Sequence, residues 1–369
     1  MPEVANKNNR PKCLNRKYIK IIICINTKMD PHIVTQFRLL GLSREDIEII
    51  NDRYDVKKFL GEGSFGKVYK AISRRTGELT ALKIYDPAYT SSRRHEIELE
   101  IRHLRNMTNN CTIPHVECLV EANLDHNYIA KTFITGVDLD AFVVPSRLRE
   151  KFAKDFIAQL LPTLYLIHNN GYLHRDIKPA NIMVDHVFDN FNFWFIDLGL
   201  SCYQFDSPNG CSTRGAVGTP LFFTRQLEDA FQRKDVADFH IYERYDVYAL
   251  GVSLFYSLND KTDPVGFNLI TSAYELPWKH IYSTDVEDIT SSLIIDKNLE
   301  MIRRRYPFLF APIEGELIDI DYHQDLMDID YDRYNEDRMD IDHARDEYED
   351  RMDFNYGRRD EYEDRMDLD

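Results

Sequence analysis

No CxxC pair occurs in the 369 residues, and the six cysteines, Cys13, Cys24, Cys111, Cys118, Cys202 and Cys211, form no dense framework. That spacing speaks against structural zinc and against a disulfide scaffold, so all six are expected to be free thiols. Long apolar runs are missing as well. The longest near the start, Ile21 to Ile25, is too short to span a bilayer, and no small-residue cleavage site follows it. The expectation is a chain without signal peptide or membrane segment, located inside the cell in cytoplasm or nucleus. Proline is absent from 321 to 369, and serine and threonine are absent from Leu293 onward.

What is present is enough for a substantial core: 43% of residues are hydrophobic and 29% charged. The net charge of -16 is distributed unevenly. Residues 321–369 hold 20 Asp or Glu against 7 Arg, and residues 1–29 hold 7 Lys or Arg against Glu3. A moderately acidic body thus lies between a basic head and a strongly acidic tail. Nucleic acid is not an expected partner of that body, because phosphate contacts require a positive face. The tail repeats an acidic-methionine core at Met327, Met339, Met352 and Met366, with starts 12, 13 and 14 residues apart. A drifting period does not stack into a solenoid, so 313–369 reads as a solvated, disordered arm. Its functional alternative is a docking segment for a basic protein partner or for the basic head.

Residues 1–42 form a basic extension without an assignable element. At Ser43-Arg-Glu-Asp46 a capping box opens a short helix over 43–53. Beyond it, Val56–Leu60, Lys67–Ser73 and Leu79–Tyr85 have strand character between glycine-containing turns, which predicts an antiparallel sheet. From Arg147 the period becomes helical: Phe152, Phe156, Leu160 and Leu164 recur every four residues, as a buried stripe does. A small sheet lobe followed by a larger helical lobe is the predicted outline.

Between the first two strands lies Gly61-Glu-Gly63-Ser64-Phe65-Gly66-Lys-Val68. Glycines there let a backbone approach a phosphate and offer it amide donors, although an ordinary hairpin turn has the same composition. Lys83 follows seventeen residues after Gly66, within Ala81-Leu-Lys83-Ile84, where a cation could reach phosphates held under the hairpin. Further on come His174-Arg175-Asp176-Ile-Lys178-Pro179-Ala-Asn181 after the long helix, and Asp197-Leu198-Gly199 after a strand-like run.

Taken in order, these motifs resemble the eukaryotic-type protein kinase family, serine/threonine class, over roughly Tyr54 to Phe310. The resemblance implies an α+β, bilobal protein-kinase-like fold: a small antiparallel N-lobe with one main helix (54–136) and a mostly helical C-lobe (137–312). It implies an ATP- and Mg²⁺-dependent kinase, with Mn²⁺ as a substitute metal, acting on serine and threonine hydroxyls of protein substrates. Gly61, Gly63, Ser64, Phe65, Gly66, Val68 and Ala81 would then surround the nucleotide. Lys83 would hold its α- and β-phosphates, oriented by a helix glutamate. Glu100 is the choice, flanked by Ile97 and Leu104, with Glu96 the runner-up.

The same resemblance makes Asp197 and Asn181 the Mg²⁺ ligands, Asp176 the group that receives the substrate hydroxyl, and Lys178 the neutraliser of the transferring phosphate. Backbone groups of Thr132 and Ile134 would bond adenine, with Asp138 near the ribose. Lys131 would fall at the back of that pocket, where relatives carry an apolar residue or threonine, and it would need a buried acid, such as one from the glutamate helix. Arg175 implies activation by a phosphate on Ser212 or Thr213, with Ser201 and Ser207 as lesser candidates. Asp246 matches the acid that supports the catalytic-loop backbone in relatives. Thr224-Arg225-Gln226 departs from the family's Ala-Pro-Glu, which would leave Arg303, Arg304 or Arg305 without its usual ion-pair partner. The competing reading is a pseudokinase or scaffold that recruits a basic partner through the acidic tail.

Overall fold

The computed structural model describes residues 29–63, 66–108, 113–206, 209–261 and 276–310. The acidic repeats, most of the basic head, Ser64, Phe65 and Ser207 lie outside the described residues, as do Cys13, Cys24 and Cys111.

Two short helices open the described chain: α1 (Pro31–Leu39) and α2 (Arg44–Arg53). Asp30 caps α1 by accepting from His32 N at 2.7 Å, and proline fills the first turn, where a missing N–H costs nothing. Ser43 and Asp46 form the expected capping box at α2: Asp46 N donates to Ser43 Oγ at 3.1 Å, and Ser43 N donates to the Asp46 carboxylate at 3.0 Å.

Strands β1 (Tyr54–Gly63), β2 (Gly66–Ser73) and β3 (Leu79–Ile84) follow, then helices α3 (Pro87–Ser92) and α4 (Arg94–Thr108), then β4 (Leu119–Asn123) and β5 (Tyr128–Thr132). The five strands form one antiparallel sheet in the order β1-β2-β3-β5-β4. Gly66 is required at the start of β2, since a Cβ there would collide with the carbonyl oxygen of Ile84.

Register divides the sheet into two chemically different faces. Val68 pairs with Lys83 and Lys83 with Ile129, while Ala81 pairs with Lys131, so these five side chains share one face. Tyr69, Leu82, Tyr128 and Ala130 take the opposite face, where they form one buried cluster with Ile33 and Phe37 of α1 and Ile47 and Ile50 of α2. Residues before Tyr54 are therefore part of the small lobe's core, and the apolar positions of the two helices supply its outer layer.

The larger lobe begins with β6 (Val137–Asp138) and the long helix α5 (Arg149–Asn169), whose Phe152, Phe156, Leu160 and Leu164 are all fully buried. After it come β7 (Tyr172–Leu173), the hairpin β8 (Ile182–Val187) and β9 (Asn190–Phe195), and the short strands β10 (Cys202–Tyr203) and β11 (Thr213–Arg214). Helix α6 (Arg225–Arg233), strand β12 (Val236–Ala237) and helices α7 (Phe239–Leu258), α8 (Thr284–Ile295) and α9 (Leu299–Arg305) complete the described chain. The core of the lobe lies where α5, α7 and α8 meet the β8–β9 hairpin. No helix among the described residues is long and apolar enough to cross a membrane.

The expectation of free thiols fails at one place. Cys202 and Cys211 form a disulfide, with Cα atoms 5.7 Å apart. Their nine-residue separation matches no compact motif; the chain turns back after β10 and brings the two sulfurs within the normal range for a bridge.

Phe37 is fully buried and meets Tyr69 edge-to-face at 5.1 Å, whereas Leu39 on the same helix is 82% exposed. Phe37→Ala is therefore expected to lower the unfolding free energy by about 3 kcal/mol in urea denaturation, and Leu39→Ala to leave it unchanged. Equal behaviour of the two variants would mean that α1 is not part of the lobe's core.

Candidate active site

Asp246 of α7 is completely buried, and its two oxygens accept from backbone: Oδ2 from His174 N and Oδ1 from Arg175 N, each at 2.8 Å. His168 Nε2 approaches the same carboxylate at 3.1 Å. These bonds hold the loop between β7 and β8 in place, including Arg175 at the left-handed φ of 63°. The motif 174–181 becomes a shaped loop because α5 and α7 lie beneath it.

On that loop Asp176 is held from three sides. Thr219 Oγ1 donates to its Oδ1 at 2.6 Å, while Lys178 Nζ and Asn181 Nδ2 both reach Oδ2 at 2.8 Å. Lys178 Nζ also donates to Thr219 Oγ1 at 2.8 Å. The Thr219 hydroxyl is brought there by Gly218, whose φ of 120° and tight approach to Arg175 O and Tyr245 OH exclude a side chain.

Across the cleft, Lys83 and Glu100 form a buried pair, with Nζ 3.2 Å from Oε1 and 3.3 Å from Oε2. Tyr85 OH donates to Glu100 Oε2 at 3.2 Å. Lys83 Nζ also lies 3.5 Å from Asp197 Oδ1. Burial alone would push the Lys83 ammonium down, but the Asp197 and Glu100 carboxylates outweigh it and hold its pKa well above the ordinary value. Asp197 is shifted in the opposite sense: Lys83 first, and then Lys131, keep its carboxyl below the usual carboxylate range although partial desolvation opposes them. Glu96 is exposed and pairs with Arg93 at 2.7 Å, so Glu100 is the glutamate that faces Lys83.

Lys131 stands on the cleft face opposite Ala81 and is almost wholly buried. Its partner is Glu117, which lies just before β4 and not on the glutamate helix: Nζ to Oε1 is 2.7 Å, with Glu100 Oε1 farther off at 4.0 Å. Glu117 escaped the sequence reading because it sits in an irregular segment with no motif around it. It also accepts from Asp197 N at 2.7 Å.

Among the remaining expected residues, Gly61, Gly63 and Gly66 line the β1–β2 hairpin, where Gly63 is registered with Gly66. Val68 and Ala81 lie on the cleft face beside Lys83. Thr132 N donates to Cys118 O at 2.8 Å, and no hydrogen bond to the backbone of Ile134 is formed among the described residues. Asp138 uses one carboxylate oxygen to accept from Ala141 N at 2.7 Å.

The arginines singled out in the sequence are all engaged by their surroundings. Arg175 does not stand open: its Nε donates to Leu200 O at 2.7 Å and its guanidinium lies 5.4 Å from the ring of Tyr242. The Tyr242 hydroxyl accepts from Val217 N at 2.9 Å and bonds Thr213 Oγ1 at 2.5 Å, and Ser201 is buried with its hydroxyl on Leu198 O at 2.6 Å. Arg303, Arg304 and Arg305, one of which was expected to seek a partner other than the family's usual glutamate, have local ones: Arg303 and Arg304 pair with Glu300, and Arg305 with Asp288. Gln226 is exposed in the first turn of α6.

The donor set suits a hard divalent cation shared with phosphate. Asn181 commits its amide nitrogen to Asp176, so its oxygen is the atom that could bind a cation, and the Asp197 carboxyl is held below the usual carboxylate range. Among the described residues no group of three or more His, Cys, Asp or Glu could hold a metal alone. A cation at this place would therefore be completed by the oxygens of its phosphate ligand and by water.

Comparison with known proteins agrees with this geometry. The protein kinase domain family matches residues 54–274, more than half of the chain. The chain is 28% identical over 262 residues to a serine/threonine-protein kinase of Drosophila yakuba, covering 66% of this chain and 32% of that protein. A serine/threonine-protein kinase of Drosophila persimilis is likewise 28% identical over 263 residues, with the same coverage. The CBL-interacting serine/threonine-protein kinase 13 of Arabidopsis thaliana is 32% identical over 215 residues, covering 56% of this chain and 39% of that protein. The chain thus spans about a third of the length of the fly relatives it matches.

The anchoring carboxylate gives a direct test. Asp246→Asn replaces one acceptor oxygen by a donor facing a backbone N–H, and is expected to cost about 2–3 kcal/mol of stability in urea denaturation, the scale of a hydrogen bond to a charged group. An unchanged midpoint would mean that the loop is held by other contacts.

Proposed function

The chain belongs to the eukaryotic-type protein kinase family, and from that premise we propose that it transfers the γ-phosphoryl group of ATP to serine and threonine hydroxyls of protein substrates. One observation carries this reading: Asp176 stands on an anchored loop with Lys178 and Thr219 on it, facing a Lys83–Glu100 pair that already touches Asp197.

Phosphoryl transfer demands positioning and charge neutralisation more than covalent chemistry. Lys83, kept cationic by its two carboxylate neighbours, binds the α- and β-phosphates beneath the Gly61–Gly66 hairpin. Backbone groups of Thr132 and Ile134 receive adenine, and Asp138 lies toward the ribose. Asp197 and Asn181 are the residues that would hold Mg²⁺, or Mn²⁺ in its place, which when bound neutralises phosphate charge.

Asp176 receives the hydrogen bond of the incoming hydroxyl and orients its oxygen toward phosphorus. An ordinary carboxylate suffices, since the transition state is loose and the proton leaves late. Lys178 faces the charge on the transferring group. Thr219 fixes Asp176 through Oδ1 and leaves Oδ2 with Lys178 and Asn181, so the acceptor hydroxyl enters a site with both roles in place.

The test is transfer of label from [γ-³²P]ATP with Mg²⁺ to a peptide array and to a protein acceptor such as casein, followed by phosphoamino-acid analysis. Phosphoserine and phosphothreonine are expected without phosphotyrosine. Asp176→Asn is expected to lower kcat by about 10²-fold or more with little change in the KM for ATP, the range for loss of a positioned proton acceptor. Absence of transfer by the folded wild type with either Mg²⁺ or Mn²⁺ would overturn the enzymatic reading.

A further inference from the structure

Glu117 makes two contacts with one oxygen. Its Oε1 accepts from Lys131 Nζ and from Asp197 N, each at 2.7 Å, and both Glu117 and Lys131 are about 95% buried. The segment carrying Glu117 is fixed against the end of β9: Phe195 N donates to His115 O at 2.8 Å, and Glu117 N donates to Phe195 O at 3.1 Å. Glu117 is thereby held two residues from the backbone N–H it receives.

Five charged groups from five separate stretches form a closed circuit around the back of the cleft. Asp197 touches Lys83, Lys83 touches Glu100, Glu100 lies 4.0 Å from Lys131, Lys131 touches Glu117, and Glu117 returns to the amide of Asp197. Lys83 balances Glu100 and Lys131 balances Glu117. The one uncompensated negative charge in the circuit belongs to Asp197, the side chain that faces a metal in the proposed function.

A buried ion pair is not by itself a stabilising device, because desolvation cancels much of its attraction and an apolar pair could fill the same volume. What an apolar pair could not do is accept the N–H of Asp197. That residue holds a left-handed φ of 58°, which a non-glycine residue keeps only where surrounding contacts impose it. We propose that Glu117 and Lys131 are positioning residues for Asp197: Glu117 fixes its backbone with the carboxylate turned toward the cleft, and Lys131 keeps Glu117 neutralised at the back of the nucleotide pocket.

This inference rests on the kinase reading and deepens it by naming what orients the metal-binding carboxylate. Turning the Asp197 peptide away from the cleft breaks the bond to Glu117 and leaves the Asp197 N–H without its acceptor, so the circuit favours a single orientation of Asp197. Glu117 meets Asp197 through its backbone, so with the pocket change at Lys131 held common to two variants, the difference between them isolates the contribution of Mg²⁺ to nucleotide binding.

The experiment is calorimetric titration of the full chain with ATP, with and without Mg²⁺, comparing the wild type with two charge-free pairs. In Lys131→Met with Glu117→Gln, the amide oxygen still accepts from Asp197 N; in Lys131→Met with Glu117→Leu, nothing does. Wild type and the glutamine pair are expected to gain equally in ATP affinity from Mg²⁺. Relative to the glutamine pair, which carries the same change at Lys131, the leucine pair is expected to lose about tenfold of that gain, the scale of one lost hydrogen bond to a positioned group, with metal-free ATP affinity equal in the two pairs within about twofold. If the leucine pair does not fold, Lys131→Met with Glu117→Ala carries the same expectation. An equal Mg²⁺ gain in all variants overturns the positioning role alone, and so does an equal weakening with and without metal, which is the mark of a merely structural contact. Failure of the wild type to bind ATP in either condition overturns the kinase reading and this inference together.

Discussion

An ammonium group buried at the level of Lys83 persists only where carboxylates surround it, and that requirement organises the small lobe and its junction with the large one. Lys83 comes from β3, Glu100 from α4 and Asp197 from the chain leaving β9, so satisfying one charge fixes three elements at once. Removing the Glu100 carboxylate would leave Tyr85 OH without its acceptor and Lys83 with Asp197 alone, since both converge on that carboxylate. A second ammonium, Lys131, enters the same volume and brings its own acid. The cleft is therefore assembled by neutralisation, and the chemistry proposed for it uses the negative charge left over.

The fold was legible where local pattern and tertiary role coincide. Phe152, Phe156, Leu160 and Leu164 repeat at helical spacing because α5 is buried along one side, and they lie in the core as that spacing predicts. The strands of the β1–β3 meander alternate because one face is sealed and the other faces the cleft. Helix α1 was not legible. Its two core residues, Ile33 and Phe37, are separated by polar or half-exposed neighbours, and nine residues with two anchors make no visible stripe. The Cys202–Cys211 bridge was missed for a related reason: proximity there comes from a turn that no spacing rule encodes.

The site was legible in the groups proposed to react and opaque in what holds them. Asp176, Lys178 and Asn181 share one short motif and Asp197 opens another, so their residue types could be read from the chain. Glu117 lies eighty residues from Asp197 and in no motif, so only the third dimension joins them. Lys131 was recognisable as an anomaly, since an ammonium in that strand demands an acid, but the sequence offered several acids and no geometry to choose among them. The surroundings of Arg175 were likewise beyond the sequence: Leu200 O and the Tyr242 ring engage it, a combination contributed by two distant elements.

The two faces of the small lobe's sheet separate stability from chemistry. On the outer face, Tyr69, Leu82 and Ala130 meet α1 and α2 through apolar contact alone, so substitutions there alter how much surface is buried and leave the cleft charges where they are. On the inner face each side chain is either charged or adjacent to a charge, and truncating one strands its partner in a low-dielectric setting. Register couples the two: a one-residue slip of β5 against β3 would carry Lys131 into the apolar layer beneath α1 and bring Ala130 to the cleft. Burying an unpaired ammonium there costs more than the slip could recover, so the ion pair that shapes the pocket also fixes the alignment of the strand that carries it.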